Sequence, residues 1–207
     1  MLWNLLDGRA YTATELASFA NISLQSASNH LSKFLQKELL TVEKQGRHRY
    51  YKLSSPEVAQ VIESMATLLA IQKEFKTVKR PKISAFTYAR TCYKHLAGEA
   101  GVKITEAMVL QKIITVAEKD FELTGKGKKW FVDLGISIDN LKNLKRSFSP
   151  KCLDWSERKH HLAGALGDCF LEMMLAKDWF RKHKNTRELI LTAKGKTEIQ
   201  QRLNIVL

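Results

Sequence analysis

Residues 23–37 read Ser-Leu-Gln-Ser-Ala-Ser-Asn-His-Leu-Ser-Lys-Phe-Leu-Gln-Lys, and this stretch decides the fold of the N-terminal part. Ala27, Leu31, Phe34 and Leu35 recur at spacings of three and four, the apolar stripe of an amphipathic helix over 24–37 that Ser23 can cap. The other face carries Gln25, Ser26, Ser28, Asn29, His30, Ser32 and Lys33. A helix that only closes a core favours Glu/Lys pairs outside. Short hydrogen-bonding groups suit base edges and phosphates in a major groove instead.

Outward from this helix the pattern stays regular. Upstream, Asn21-Ile22-Ser23 is a break, and Thr14 is positioned to cap a short helix over 15–19. Before it, apolar residues 1–6 end at the turn Asp7-Gly8. Downstream, residues 39–43 and 49–53 alternate as strands about the turn Gln45-Gly46, which predicts a β-hairpin. Its tip supplies Lys44, Arg47, His48 and Arg49 for phosphate or minor-groove contact. Pro56 opens a long helix over 56–75, with Val58, Val61, Ile62, Met65, Leu68 and Leu69 as a stripe for a partner helix. Helix, short turn, polar-faced helix and basic hairpin, in that order, predict a winged helix-turn-helix that binds DNA.

The runs Leu5-Leu6-Asp7-Gly8-Arg9-Ala10, Thr14-Glu15-Leu16-Ala17 and Ser26-Ala27-Ser28-Asn29-His30-Leu31 resemble the ArsR/SmtB family of bacterial repressors. Gly46-Arg47-His48-Arg49-Tyr50-Tyr51-Lys52-Leu53 resembles that family's wing. The resemblance covers most of 1–75. It implies a homodimer on double-stranded operator DNA, released when an effector binds, with 24–37 as recognition helix and 56–75 as dimer helix. The chain departs from the family in two ways. The helix that usually precedes this start is absent or reduced to 1–6, so either the start is truncated or dimerisation relies on the long helix and the C-terminal part. Neither metal site typical of the family can exist, because Asn21-Ile22-Ser23-Leu24 has no cysteine and 56–75 has no His, Asp or Cys.

A boundary is expected at Lys79-Arg80-Pro81-Lys82, dividing a DNA-binding domain over 1–80 from a C-terminal domain over 81–207. The latter repeats itself. His95-Leu96-Ala97-Gly98-Glu99-Ala100-Gly101 returns as His161-Leu162-Ala163-Gly164-Ala165-Leu166-Gly167, and Leu123-Thr124-Gly125-Lys126-Gly127-Lys128 as Leu191-Thr192-Ala193-Lys194-Gly195-Lys196. Two motifs in one order at nearly one offset mark a duplicated unit. The units fall at about 84–138 and 139–207. The expected fold is therefore mainly α with small β-hairpin wings: a winged helix-turn-helix, then a mostly helical domain of two winged-helix-like repeats. Thr124 and Thr192 are expected N-caps. The small residues at 97, 98, 101, 163, 164 and 167 are expected to let two helices cross closely.

The repeat motifs gather reactive side chains: Arg90, Cys92 and His95 in one unit, and Cys152, Asp154, Arg158, His160 and His161 in the other. Cys92 and His95 at i, i+3 on a helix could reach one ion, with His161 opposite and Cys152 close by. Asp154 and Glu157 have the spacing of a capping box. The cluster reads as an effector pocket (for a metal, a thiol-reactive compound or a small anion) or as a buried polar network pinning the units together. No residue is assigned as a metal ligand, and the cofactor is left unknown. Residues 84–205 resemble the C-terminal extension of longer ArsR-like regulators, whose members often carry an acidic residue where Lys94 stands.

Composition narrows the classes. The 207 residues carry 34 Lys+Arg against 21 Asp+Glu, a net charge of +13. Residues 1–80 contribute +4 and residues 81–207 contribute +9, so most of the excess lies outside the part assigned to DNA. No apolar run is long enough for a membrane span, no signal peptide is recognisable, and three cysteines suit a reducing cytoplasm. The function read from these residues is a sequence-specific, homodimeric repressor relieved by an effector in the C-terminal domain. The alternatives are a nucleoid-type DNA-binding protein without an effector and, further off, a thiol-dependent enzyme using Cys92 or Cys152. An enzyme is not expected, because no phosphate loop, nucleophile elbow or metalloprotease helix is present.

Overall fold

The computed structural model describes residues 1–71, 85–144 and 146–207. The boundary expected at 79–82 and the last turn of the helix expected over 56–75 lie outside the described residues. The fold mixes α-helices with small antiparallel hairpins, a composition compatible with winged helices.

A 3-10 turn, Leu2–Leu5, leads to the short strand β1 (Tyr11–Thr12) and then to α1 (Ala13–Ala20) and α2 (Leu24–Gln36). The cap of α1 is Thr12 and not Thr14. Its hydroxyl accepts from the Glu15 N–H at 3.3 Å, while the Glu15 carboxylate accepts from the Thr12 N–H at 2.7 Å. That reciprocal box satisfies two end groups at once, whereas Thr14 lies inside the helix. Asn21, left-handed at φ 51°, ends α1, and Ser23 caps α2 through the Ser26 N–H. Strands β2 (Leu40–Gln45) and β3 (His48–Leu53) pair about Gly46-Arg47. Strand β1, which the sequence did not suggest, adds to β3 and gives the sheet order β1-β3-β2. Leu5, Leu16, Leu31, Leu40 and Tyr51 form the core under this sheet, each burial worth roughly 1.5–3 kcal/mol. Helix α3 (Pro56–Ile71) follows.

Beyond it come a single turn, α4 (Ala85–Tyr88), and then one order of elements twice. The first pass is hairpin β4 (Arg90–Cys92) and β5 (His95–Ala97), helix α5 (Glu99–Leu110), hairpin β6 (Ile114–Val116) and β7 (Phe121–Leu123), helix α6 (Gly125–Asp133). A short helix, α7 (Ile138–Lys142), connects to the second pass. That pass is hairpin β8 (Lys151–Leu153) and β9 (His160–Leu162), helix α8 (Gly164–Ala176), hairpin β10 (Phe180–Lys182) and β11 (Leu189–Leu191), helix α9 (Ala193–Leu203). Thr124 and Thr192 cap α6 and α9, each accepting an N–H at 2.9 Å. Both passes share one core, from Leu96 and Ile104 through Phe131 and Leu166 to Trp179.

Two expectations are corrected here. The residues around Cys92/His95 and around Cys152/His161 form hairpins and not helices. The Asp154 carboxylate does accept N–H groups from Ser156 and Glu157, but within the β8–β9 turn. The small residues do not mark a crossing of two helices either. Helix α5 packs on β9 and α8 on β5, so each helix sits on the other unit's hairpin. Gly98, at φ +83°, lies where a Cβ would come 2.5 Å from the Thr87 carbonyl oxygen, and a Cβ at Gly167 would come 2.6 Å from that of Leu162. Gly98 lets the backbone pass close to α4, and Gly167 lets α8 sit close to β9.

Candidate functional site

Two surfaces stand out. On the first, Gln25, Ser28, Asn29, His30 and Lys33 of α2 are exposed, and Ser26 is half-buried at its edge. His30 does not pack inward; its ring stacks 6.3 Å from that of Phe34. Gln25 donates to Asn29 at 3.3 Å, which fixes both amides on the outer face. Lys44, Arg47, His48 and Arg49 are all exposed at the end of the β2–β3 hairpin.

The second site lies where the two repeats meet. In the β4–β5 hairpin Cys92 stands directly across from His95, and in β8–β9 Cys152 across from His161. Cross-strand partners on one face are close neighbours, so each hairpin offers a Cys/His pair. The reciprocal packing of the helices brings the pairs together. The Cys92 and Cys152 sulfurs are 3.9 Å apart and the Nε2 atoms of His95 and His161 are 3.1 Å apart. All four ligand atoms lie within 4.8 Å of one another, so these residues could hold a metal ion.

The surroundings set their charges. Behind the rings, Asp168 lies 3.5 Å from His95 Nδ1 and Asp154 lies 3.7 Å from His161 Nδ1. Burial lowers the His95 pKa, but Asp168 and the Cys92 sulfur outweigh it and lift the ring to about 9. The Cys152 contact and burial push Cys92 up to about 12, while the same contact lowers Cys152. Arg90, only 1% exposed, grips both Asp154 oxygens at 2.9 Å between the faces of Phe86 and Trp155. Burial raises the Asp154 pKa, but Arg90 and His161 more than offset it and hold the carboxyl well below the usual range.

A cleft of about 390 Å³ opens onto Cys92, Cys152 and His161, walled on its other side by Gln60, Glu63 and Ser64 of α3. Arg158 and His160 do not join this set. Both are exposed and line a separate cleft of about 660 Å³ against Val109 and Val116. The structure thus groups Arg90, Cys92, His95, Cys152, Asp154 and His161, and adds Glu63, Asp168 and Arg187, which the sequence did not suggest.

Glu63 joins helix α3 to the second site. Its carboxylate accepts from Arg187 at 3.0 and 3.1 Å, from the Trp155 indole at 3.2 Å and from the Cys92 thiol at 3.8 Å. Arg187 also donates to the Leu6 carbonyl at 3.1 Å and to that of Thr91 at 2.6 Å. Arg9 binds Glu188 beside it, and Trp3 meets Trp155 edge-on at 4.7 Å. The C-terminal cluster is therefore wired to the N-terminal elements by charged and aromatic contacts.

A polar helix exposed beside a basic hairpin, attached to a body with a separate buried cluster, describes a helix-turn-helix transcriptional regulator. Comparison with known proteins agrees. Over 206 residues the chain is 42% identical to the HTH-type transcriptional regulator YdfF of Bacillus subtilis (strain 168), covering 99% of this chain and 91% of that protein. The chain belongs to the HTH-type transcriptional regulators. No family model matches it. No helix among the described residues is long and apolar enough to cross a membrane.

Proposed function

We propose that this chain is a winged helix-turn-helix repressor of ArsR type, which binds operator DNA as a homodimer and leaves it when an effector occupies the C-terminal cluster. The observation that carries this reading is the outer face of α2, where Gln25, Ser28, Asn29 and Lys33 stand exposed, followed in the chain by the exposed Arg47 tip. Helix α2 enters the major groove, with Gln25, Ser26, Ser28 and Asn29 toward bases and His30 and Lys33 toward phosphate. The tip residues Lys44, Arg47, His48 and Arg49 hold the flanking backbone. Helix α3 supports the dimer: Val61 and Met65 are 61% and 59% exposed on its surface. The same helix lines the cleft, so an effector there acts on the element that joins the two copies.

Gel-shift titration of full-length protein tests this. Arg47→Ala weakens all DNA alike and lowers the salt slope by about 0.9 for one phosphate contact. Gln25→Ala and Ser28→Ala relax sequence preference, by about 1–3 kcal/mol per lost base contact. Unchanged affinity in Arg47→Ala overturns the role of the wing.

A further inference from the structure

We propose that Cys92, His95, Cys152 and His161 form a tetrahedral site for one zinc-class divalent cation, and that Glu63 carries its occupancy to α3. The first half stands on geometry alone; the second rests on the regulator reading above.

The distances fit a single ion. Zinc–sulfur bonds of about 2.3 Å and zinc–nitrogen bonds of about 2.0–2.1 Å place tetrahedral sulfurs about 3.8 Å apart and nitrogens about 3.3 Å apart. The structure has 3.9 Å between the sulfurs and 3.1 Å between the Nε2 atoms. Two thiolates and two imidazoles are the donor set that selects a borderline-soft tetrahedral ion over magnesium or calcium. Each imidazole has a carboxylate behind it, Asp168 at 3.5 Å and Asp154 at 3.7 Å from Nδ1. A carboxylate on the Nδ1 side favours a proton on that nitrogen electrostatically, which leaves Nε2 available to an ion. The two Nε2 atoms face each other at 3.1 Å, a distance at which one proton bridges them. A cation between them takes the place of that proton, and the two sulfurs complete its shell.

The coupling follows from Cys92. Its thiol points at Glu63 Oε2, 3.8 Å away. Ligation removes the thiol proton, so a hydrogen-bond donor becomes an electron-rich sulfur against a carboxylate. Glu63 sits on α3, and among its other partners Arg187, Trp155 and Arg90 belong to the C-terminal part, so it ties both halves of the chain together. Binding an ion therefore changes what α3 rests on.

The test uses the full chain, reduced and stripped of metal, titrated with cobalt(II) without oxygen. The expected result is the intense visible spectrum of tetrahedral thiolate-bound cobalt, saturating at one equivalent per chain and displaced by zinc. Zinc should also shield Cys92 and Cys152 from alkylation while leaving Cys169 reactive, a readout by mass spectrometry that needs no variant. Cys152→Ser should lose the thiolate bands that Cys169→Ser keeps. A weak octahedral spectrum, equal alkylation with and without zinc, or thiols that only oxidise to a Cys92–Cys152 disulfide would overturn the site. For the coupling, zinc should shift DNA affinity about tenfold, and Glu63→Gln should bind one cobalt normally yet lose most of that shift. A zinc-independent affinity in the parent protein refutes the coupling and leaves the site standing. Absence of any DNA binding refutes the regulator reading, while the cobalt spectrum still judges the site.

Discussion

Arg90 is the residue whose loss the structure prices most clearly. Its side chain is 1% exposed, and one of its nitrogens meets both Asp154 oxygens at 2.9 Å. The guanidinium lies 5.4 Å from the Phe86 ring centre and 4.7 Å from that of Trp155. Arg90→Met keeps most of the apolar stem and so opens little cavity. It leaves Asp154 buried without its cation, which costs about 3–5 kcal/mol. At roughly 2–4 °C per kcal/mol for a chain of this size, the melting temperature falls by about 10 °C. Asp154→Leu costs more. It strands the guanidinium and also the N–H groups of Gly98, Ser156 and Glu157, which now donate to that carboxylate at 2.7–3.1 Å. Each stranded buried donor adds about 1–3 kcal/mol. The double variant removes the lone charge but not the stranded N–H groups, so it stays less stable than Arg90→Met. Urea and thermal unfolding followed by circular dichroism and tryptophan fluorescence measure the series. An Arg90→Met protein within about 1 kcal/mol of the parent, or a double variant more stable than it, refutes this account of the buried pair.

Three further outcomes follow from single contacts. Gly98→Ala places a Cβ at φ +83° and 2.5 Å from the Thr87 carbonyl oxygen, so unfolding free energy should fall by at least about 1–3 kcal/mol; an unchanged value would contradict the close approach. Thr12→Ala should lower stability by about 1 kcal/mol through loss of the α1 box, while Thr14→Ala should lack that cost, as urea midpoints will show. Burial and the hydrogen bond to Asp7 raise the Tyr11 phenol to about 12. The fold thus favours the neutral phenol, and its stabilisation is complete below about pH 10 and lost as pH rises through 12. Denaturation curves at pH 9 and 11 should show a smaller loss for Tyr11→Phe than for the parent.

The elements that were legible in the sequence are those with local periodicity. Helix α2 showed itself in Ala27, Leu31, Phe34 and Leu35, and the β2–β3 hairpin in the alternation about Gln45-Gly46. The repeated order of elements was legible as two motifs at nearly one offset. The β4–β5 and β8–β9 hairpins were not, because strands of three residues are too short to show a period of two, and the Gly and Ala residues behind them mimic helix packing. Cys92, His95, Cys152 and His161 were therefore read on the wrong element, and Arg158 and His160 were read into a cluster that they do not join. Cys92 and His95 meet across strands and not along a helix. Glu63, Asp168 and Arg187 had no local signature at all. Glu63 and Arg187 meet only because distant segments fold together, a contact that spacing along the chain does not encode.

How the protein meets DNA decides whether it is a site-specific regulator. Footprinting of the full-length chain on the region upstream of its own gene, at physiological salt, measures this directly. The prediction is one discrete, near-palindromic protected site, with two half-sites about one helical turn apart as a two-fold dimer requires. Uniform protection along the fragment, or none at concentrations where the chain is folded, would contradict it.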